Sequence, residues 1–258
     1  MTNCIMGFAH GAGYSWNIVK PFVKSLRERA RFEGDVVLFT EAKNQMDKDS
    51  KAKLKEYNVT EMPIDLSWIP WGTGFMLARF HQQAKTINEN SQWERVMLVD
   101  TRDMIFQSDL SKFFQDDLLH CAKESIEVWQ DVHFNSAGIK ASWGEEVYQE
   151  LAHKTVINSG SIWGGRDSVL NILNNMTNCG AAANCDQHSL IYSVYFRKVP
   201  AVLHENDGSW IWTIALTDIT GYVFKDGLVY TPDGRVPAIV HQFDRFEELK
   251  NKIVGHYQ

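Results

Sequence analysis

The chain has no apolar run that approaches the roughly 20 residues needed to cross a bilayer, so no membrane span is expected. It also has no low-complexity tract, no internal repeat and no stretch that reads as a linker. Cysteine is scarce: Cys4, Cys121, Cys179 and Cys185 are the only four, with no Cys-x-x-Cys pair and no paired histidine spacing. That excludes the usual zinc-site patterns. The opening residues MTNCIMGFAHGAG carry no charged region ahead of their short apolar run, so the run reads as a strand and not as a secretory signal. Reduced thiols and a cytoplasmic protein are the expectation, a Cys179–Cys185 bridge being suited only to an oxidising compartment. An excess of positive charge is missing as well. The net charge of −6 argues against a nucleic-acid partner held through its backbone phosphates. The charge is uneven, though. Residues 1–60 carry 10 Lys and Arg against 7 Asp and Glu, a balance suited to a phosphate-bearing ligand or to peripheral contact with an anionic membrane surface. Solvated helix faces explain most of these basic residues equally well.

At 258 residues the chain suits one α/β domain. Residues 3–8 read as a first strand, followed by the glycine-bearing turn His10-Gly11-Ala12-Gly13-Tyr14. Trp16 to Ala30 is helical, with Trp16, Val19, Phe22, Val23 and Leu26 on one face and Ser15 as N-cap. Asp35 to Thr40 is a second strand, Lys48 to Tyr57 a charged helix, and Val59 to Ile64 a third strand. This alternation predicts a parallel sheet with right-handed crossovers. A helix from Phe75 to Asn90 carries Arg79 and leads into an apolar strand, Val96 to Val99. Beyond about residue 111 the pattern turns to mixed α+β. Helices are expected over Glu145–His153, Asp167–Met176 and Gln187–Phe196, a bent strand over Thr155–Trp163, and a late strand over Ala238–His241.

The chemistry concentrates after the strand ending at Val99. Asp100-Thr101-Arg102-Asp103 sets two carboxylates at the carboxyl end of a buried strand, where open α/β sheets bind ligands. Carboxylates grouped there repel unless a cation joins them, and a hard divalent cation takes oxygen ligands. The plain alternative is a solvated loop in which Arg102 pairs with one Asp. Three clusters follow downstream: Asn158-Ser159-Gly160, Asp186-Gln187, and His241-Gln242-Phe243-Asp244-Arg245. Taken singly, they read equally as a turn, a helix N-cap and a structural histidine.

In this order the motifs resemble those of GT-A glycosyltransferases, nucleotide-sugar-dependent enzymes whose acidic motif holds a divalent metal against the diphosphate. A strict Asp-x-Asp is absent. The Asp-x-x-Asp form is similar to that of the glycosyltransferase domain of the multifunctional collagen lysyl hydroxylases, where two Asp and a distant His hold Mn²⁺. The resemblance implies a GT-A-like α/β fold of one domain over 1–258. A Rossmann-type nucleotide-sugar-binding half would span 1–110, with a mixed central sheet, and an α+β acceptor-binding half would span 111–258. It implies Asp100, Asp103 and His241 as ligands to Mn²⁺ or Mg²⁺, and leaves open which Asp binds directly. His10, Gly11, Tyr14, Arg79, Asp100 and Arg102 would contact the nucleotide-sugar donor. Asn158 and Asp186 would be the catalytic residues beside the donor sugar or the acceptor. The implied activity is transfer from a nucleoside-diphosphate sugar, a UDP-sugar by preference, to a hydroxyl of a glycan or other acceptor, with a lean toward retention. Trp68, Trp71, Trp210 and Trp212 are candidate sugar platforms, with a place in the core the equal alternative for each. A nucleotidyltransferase that forms nucleotide sugars is the alternative, though His10-Gly11-Ala12-Gly13 lacks the basic residue its loop would carry. A catalytically silent fold that binds glycan or nucleotide is the other.

Overall fold

The computed structural model describes residues 2–9, 14–42, 45–64, 74–182 and 186–258. His10, Gly11, Trp68, Trp71 and Cys185, all singled out from the sequence, lie outside the described residues. In chain order the elements begin with β1 (Thr2–Ala9), α1 (Trp16–Lys24), β2 (Asp35–Glu41), α2 (Lys48–Glu56), β3 (Val59–Ile64), α3 (Gly74–Glu89), β4 (Trp93–Val99) and β5 (Met104–Phe106). There follow β6 (Leu119–Glu127), α4 (Ala137–Leu151), β7 (Thr155–Gly165), α5 (Arg166–Thr177), α6 (Asp186–Ile191), β8 (Val202–His204) and β9 (Ile211–Thr213). The chain ends with β10 (Val223–Lys225), β11 (Leu228–Tyr230), β12 (Ile239–His241) and α7 (Glu247–His256). Among the described residues no helix is long and apolar enough to cross a membrane.

The protein is a mixed α/β structure with a seven-stranded sheet ordered β3-β2-β1-β4-β7-β6-β8. The chain divides into two compact units, and β4 belongs to both, its first five residues to one and Leu98–Val99 to the other. One unit comprises Met1–Asn3, Leu66–Met97 and Asp116–His204; the other comprises Cys4–Asp65, Leu98–Gln115 and Glu205–Gln258.

In the second unit, β1 pairs in parallel with β2, and β2 with β3, as the β-α-β-α-β alternation predicts. Four consecutive apolar residues of β2, Val36 to Phe39, are buried, the pattern of a strand covered on both faces. The buried face of α1 is Val19, Phe22 and Val23, and a π-helical turn over Ser25–Arg29 carries the helix on through Leu26. Ser15 is the N-cap residue in position, but its side chain makes no capping hydrogen bond. The same unit holds a small sheet ordered β5-β12-β9, with β12 antiparallel to β5 and parallel to β9. One face of this sheet enters a core of Ile105, Trp212, Val240, Phe243, Leu249 and Ile253. Trp212 is therefore core, only 2% exposed, and not a sugar platform.

In the first unit, β6 runs antiparallel to β7 and parallel to β8. Strand β6 runs unbroken through Lys123 and Glu124, and two register shifts against β7, at Cys121/Lys123 and Lys123/Glu127, absorb its irregular apolar pattern. The helix expected from Glu145 starts earlier, at Ala137. Gly144, at φ 86°, breaks the helical geometry there and so masks the earlier periodicity. Helix α6 continues as a π-helical turn, Tyr192–Phe196, matching the expected helical stretch. Cys4, Cys121 and Cys179 are buried free thiols.

Candidate metal centre

The acidic motif is positioned from three directions within its unit. Strand β4 ends at Val99, so Asp100 opens the turn at its carboxyl end. Thr101 turns inward, 2% exposed, and its hydroxyl donates to the Phe8 carbonyl of β1. Gly7 makes this possible: a Cβ there would lie 2.2 Å from the Thr101 methyl carbon. Chain then returns to strand at Met104, and the Phe106 amide donates to the Ser25 hydroxyl at 3.0 Å, tying β5 to the end of the first helical segment.

His241 reaches the motif through strand register. In the antiparallel β12–β5 pair, His241 faces Met104, next to Asp103. Side chains alternate along a strand, so Val240 enters the apolar core while His241 points away from it. Gln242 then adopts the left-handed conformation (φ 62°, ψ 30°). Its amide donates to the Asp103 carbonyl at 2.7 Å, and that of Phe243 to the same oxygen at 3.4 Å. The turn after β12 is thus strapped to the backbone of the acidic motif.

One ligand atom from each of Asp100, Asp103 and His241 lies within 4.8 Å of the others. The His241 Nε2 stands 3.4 Å from an Asp100 oxygen and 3.8 Å from an Asp103 oxygen. His241 is fully buried and the Asp103 side chain nearly so, whereas the Asp100 side chain is 32% exposed. Burial pushes the Asp103 carboxyl above the ordinary aspartate range; His241 and Arg102 pull it down, while Asp100 and Asp244 push it further up. A divalent cation among these groups would offset both the lost hydration and the mutual repulsion. Two carboxylates with one imidazole form a donor set that suits Mn²⁺ well and Mg²⁺ less well, because Mg²⁺ favours all-oxygen surroundings.

Arg102 forms its ion pair with neither Asp100 nor Asp103, although its charge is felt at Asp103. Its Nε lies 3.0 Å from an Asp244 oxygen, and it pairs with no other carboxylate among the described residues. Burial works against the guanidinium charge, but Asp244, Asp103 and Tyr14 outweigh it and raise its pKa. Tyr14 belongs to the same neighbourhood. Burial raises its hydroxyl, followed by a lowering from Arg102, a raising from Asp103 and a lowering from a hydrogen bond with Thr101. Trp16, which follows Ser15 at the start of α1, stacks on Tyr57 with ring centroids 5.4 Å apart.

The remaining sequence candidates gather in the other unit as a buried polar cluster. Arg79 of α3 donates to an Asp186 oxygen at 2.8 Å, and the Ser159 hydroxyl donates to the same oxygen at 3.0 Å. Asp186, at the start of α6, is 2% exposed. Asn158 on β7 donates to Glu124 at 2.7 Å, and its own side-chain oxygen accepts from the Gly160 amide at 2.8 Å. Ser159 and Glu124 had no distinguishing signal in the sequence beyond proximity to Asn158 and an acidic residue inside an apolar strand. Asp244 had one: it lies three residues beyond His241, in the polar run that ends the late strand.

No protein-family model matches this chain, and no curated protein matches it.

Proposed function

We propose that this protein is a divalent-metal-dependent glycosyltransferase that uses a nucleoside-diphosphate sugar, in the first instance a UDP-sugar. The observation that carries the reading is the convergence of Asp100 and Asp103, from the turn between β4 and β5, with His241, from the distant β12, within 4.8 Å at the carboxyl end of β4. Carboxyl ends of strands in open α/β sheets are where nucleotides bind. Glycosyl transfer from such a donor builds negative charge on the leaving diphosphate. A bound Mn²⁺ or Mg²⁺ would supply Lewis-acid stabilisation of that charge and a template for the phosphates.

The chain's own residues supply the rest. Asp100, Asp103 and His241 would hold the cation. Arg102, half-exposed and drawn aside by Asp244, would offer its guanidinium to the diphosphate, a planar fork suited to phosphate oxygens. Tyr14, beside Thr101, would contact the nucleotide. Asp186 is buried, and one of its carboxylate oxygens already accepts from Arg79 and Ser159, so it is not presented to an acceptor hydroxyl. This supports the lean toward retention, in which no enzyme base need activate the acceptor hydroxyl.

The test is turnover. Incubation with a panel of UDP-sugars and Mn²⁺ is expected to release UDP, slowly to water and faster with an acceptor glycan, and EDTA is expected to stop it. Metal-dependent UDP binding without turnover of any sugar would instead favour a silent fold that binds nucleotide.

A further inference from the structure

Placing an arginine between two metal-binding aspartates raises a physical difficulty. A guanidinium is always charged and forms bidentate pairs with carboxylates, so Arg102 is a built-in competitor for the cation's ligands. The structure shows how the competition is avoided. The Arg102 Nε is paired at 3.0 Å with Asp244, whose side chain is only 14% exposed. Asp244 itself is held in place. It follows the left-handed Gln242, and the amides of Gln242 and Phe243 both bond the Asp103 carbonyl. Phe243 is 1% exposed and anchors the segment in the core. Arg245, half-exposed, stands 3.7 Å from the second Asp244 oxygen.

We propose that Asp244 is a positioning residue that holds Arg102 off Asp100 and Asp103 and so keeps those carboxylates open to a divalent cation. One segment, His241 to Asp244, then performs two tasks: it contributes the imidazole ligand, and it removes the competing cationic side chain. This inference rests on the metal-centre part of the proposed function, and it does not depend on which sugar is transferred.

The experiment uses Mn²⁺ alone, without nucleotide, on the full chain, with free Mn²⁺ followed by electron paramagnetic resonance. Asp244→Asn keeps the side-chain shape and removes the charge. It is expected to weaken Mn²⁺ binding about tenfold, because Arg102 falls back onto the ligands. Adding Arg102→Gln to that variant is expected to restore wild-type affinity, a recovery that a merely structural role for Asp244 would not give. Arg102→Gln alone alters an exposed side chain and keeps the test valid should Asp244→Asn fold poorly by circular dichroism; it is expected to bind Mn²⁺ as tightly as wild type or more tightly. Wild-type affinity in Asp244→Asn, a double variant no better than Asp244→Asn, or weakened binding in Arg102→Gln alone would each overturn the inference. Failure of the wild-type chain to bind Mn²⁺ at all would overturn the metal centre itself, and this inference with it.

Discussion

The Nε2 of His241 stands 3.4 Å from a carboxylate oxygen of Asp100, although the two residues come from separate segments of the second unit, Leu98–Gln115 and Glu205–Gln258. Strand register alone brings them together: β12 lies antiparallel to β5, with His241 facing Met104. The imidazole is fully buried, so its place is fixed by packing and not by chance approach at a surface. Removing it is therefore expected to affect the metal more than the fold's other functions. His241→Ala should lower Mn²⁺ affinity at least about tenfold, as losses around metal sites do. Calorimetric Mn²⁺ titration checks this, and a titration curve equal to wild type would remove His241 from the site.

Asp103 gives a prediction in pH. Its carboxyl stands above its ordinary value of 3.8, mainly through burial, so the folded metal-free chain keeps a proton that the unfolded chain has released. The stability tied to that proton is full below the unfolded pKa and is lost as pH rises through the raised folded pKa. Asp103→Asn, neutral at every pH, should therefore raise the melting temperature of the metal-free protein near neutrality. That advantage should shrink as pH falls toward 3.8. Saturating Mn²⁺ should reverse the order, stabilising the wild type and not the variant. A melting temperature for metal-free Asp103→Asn below that of wild type at neutral pH would contradict the account.

Gly7 and Thr101 form a steric pair that sets the shape of the acidic turn. A Cβ at position 7 would sit 2.2 Å from the Thr101 methyl carbon, too close without movement. Gly7→Ala should cost about 1–3 kcal/mol of stability, as overpacking does. Combining it with Thr101→Ser, which removes that methyl and keeps the hydroxyl, should recover most of the loss. Denaturant unfolding of the three variants measures both effects; no recovery in the double variant would show that the clash lies elsewhere.

How much of this was legible in the sequence differs from residue to residue. The parallel β1–β2–β3 arrangement followed from alternating apolar runs and a helical stripe, because each is a local signal. The Asp100–Asp103 turn was visible because four apolar residues precede it. The partner of Arg102 was not. Asp244 arrives beside it only through the β12–β5 pairing, and strands of three residues carry too little periodicity to announce their register. For the same reason Trp212, on three-residue β9, was readable equally as core and as sugar platform, and the structure places it in the core. Asp186 looked like an N-cap or a catalytic residue; its actual partner, Arg79, lies on α3, and a buried ion pair between distant elements leaves no pattern in either segment.

That pair is expected to matter for stability. Removing one partner of a buried ion pair costs about 3–5 kcal/mol, because the other charge is left uncompensated. Arg79→Met or Asp186→Asn should each destabilise by roughly that amount. Replacing both together should cost clearly less than the two losses added. Urea unfolding of the single and double variants gives the comparison; additive losses would show that the two charges act independently.

The central claim is that the Asp100–Asp103–His241 set binds a divalent cation that in turn recruits a nucleoside diphosphate. Calorimetric titration of UDP into the protein, first with Mn²⁺ and then with EDTA, tests it most directly. The account predicts saturable one-to-one binding with Mn²⁺ and its loss with EDTA. Equal UDP binding in both conditions, or none in either, would contradict it.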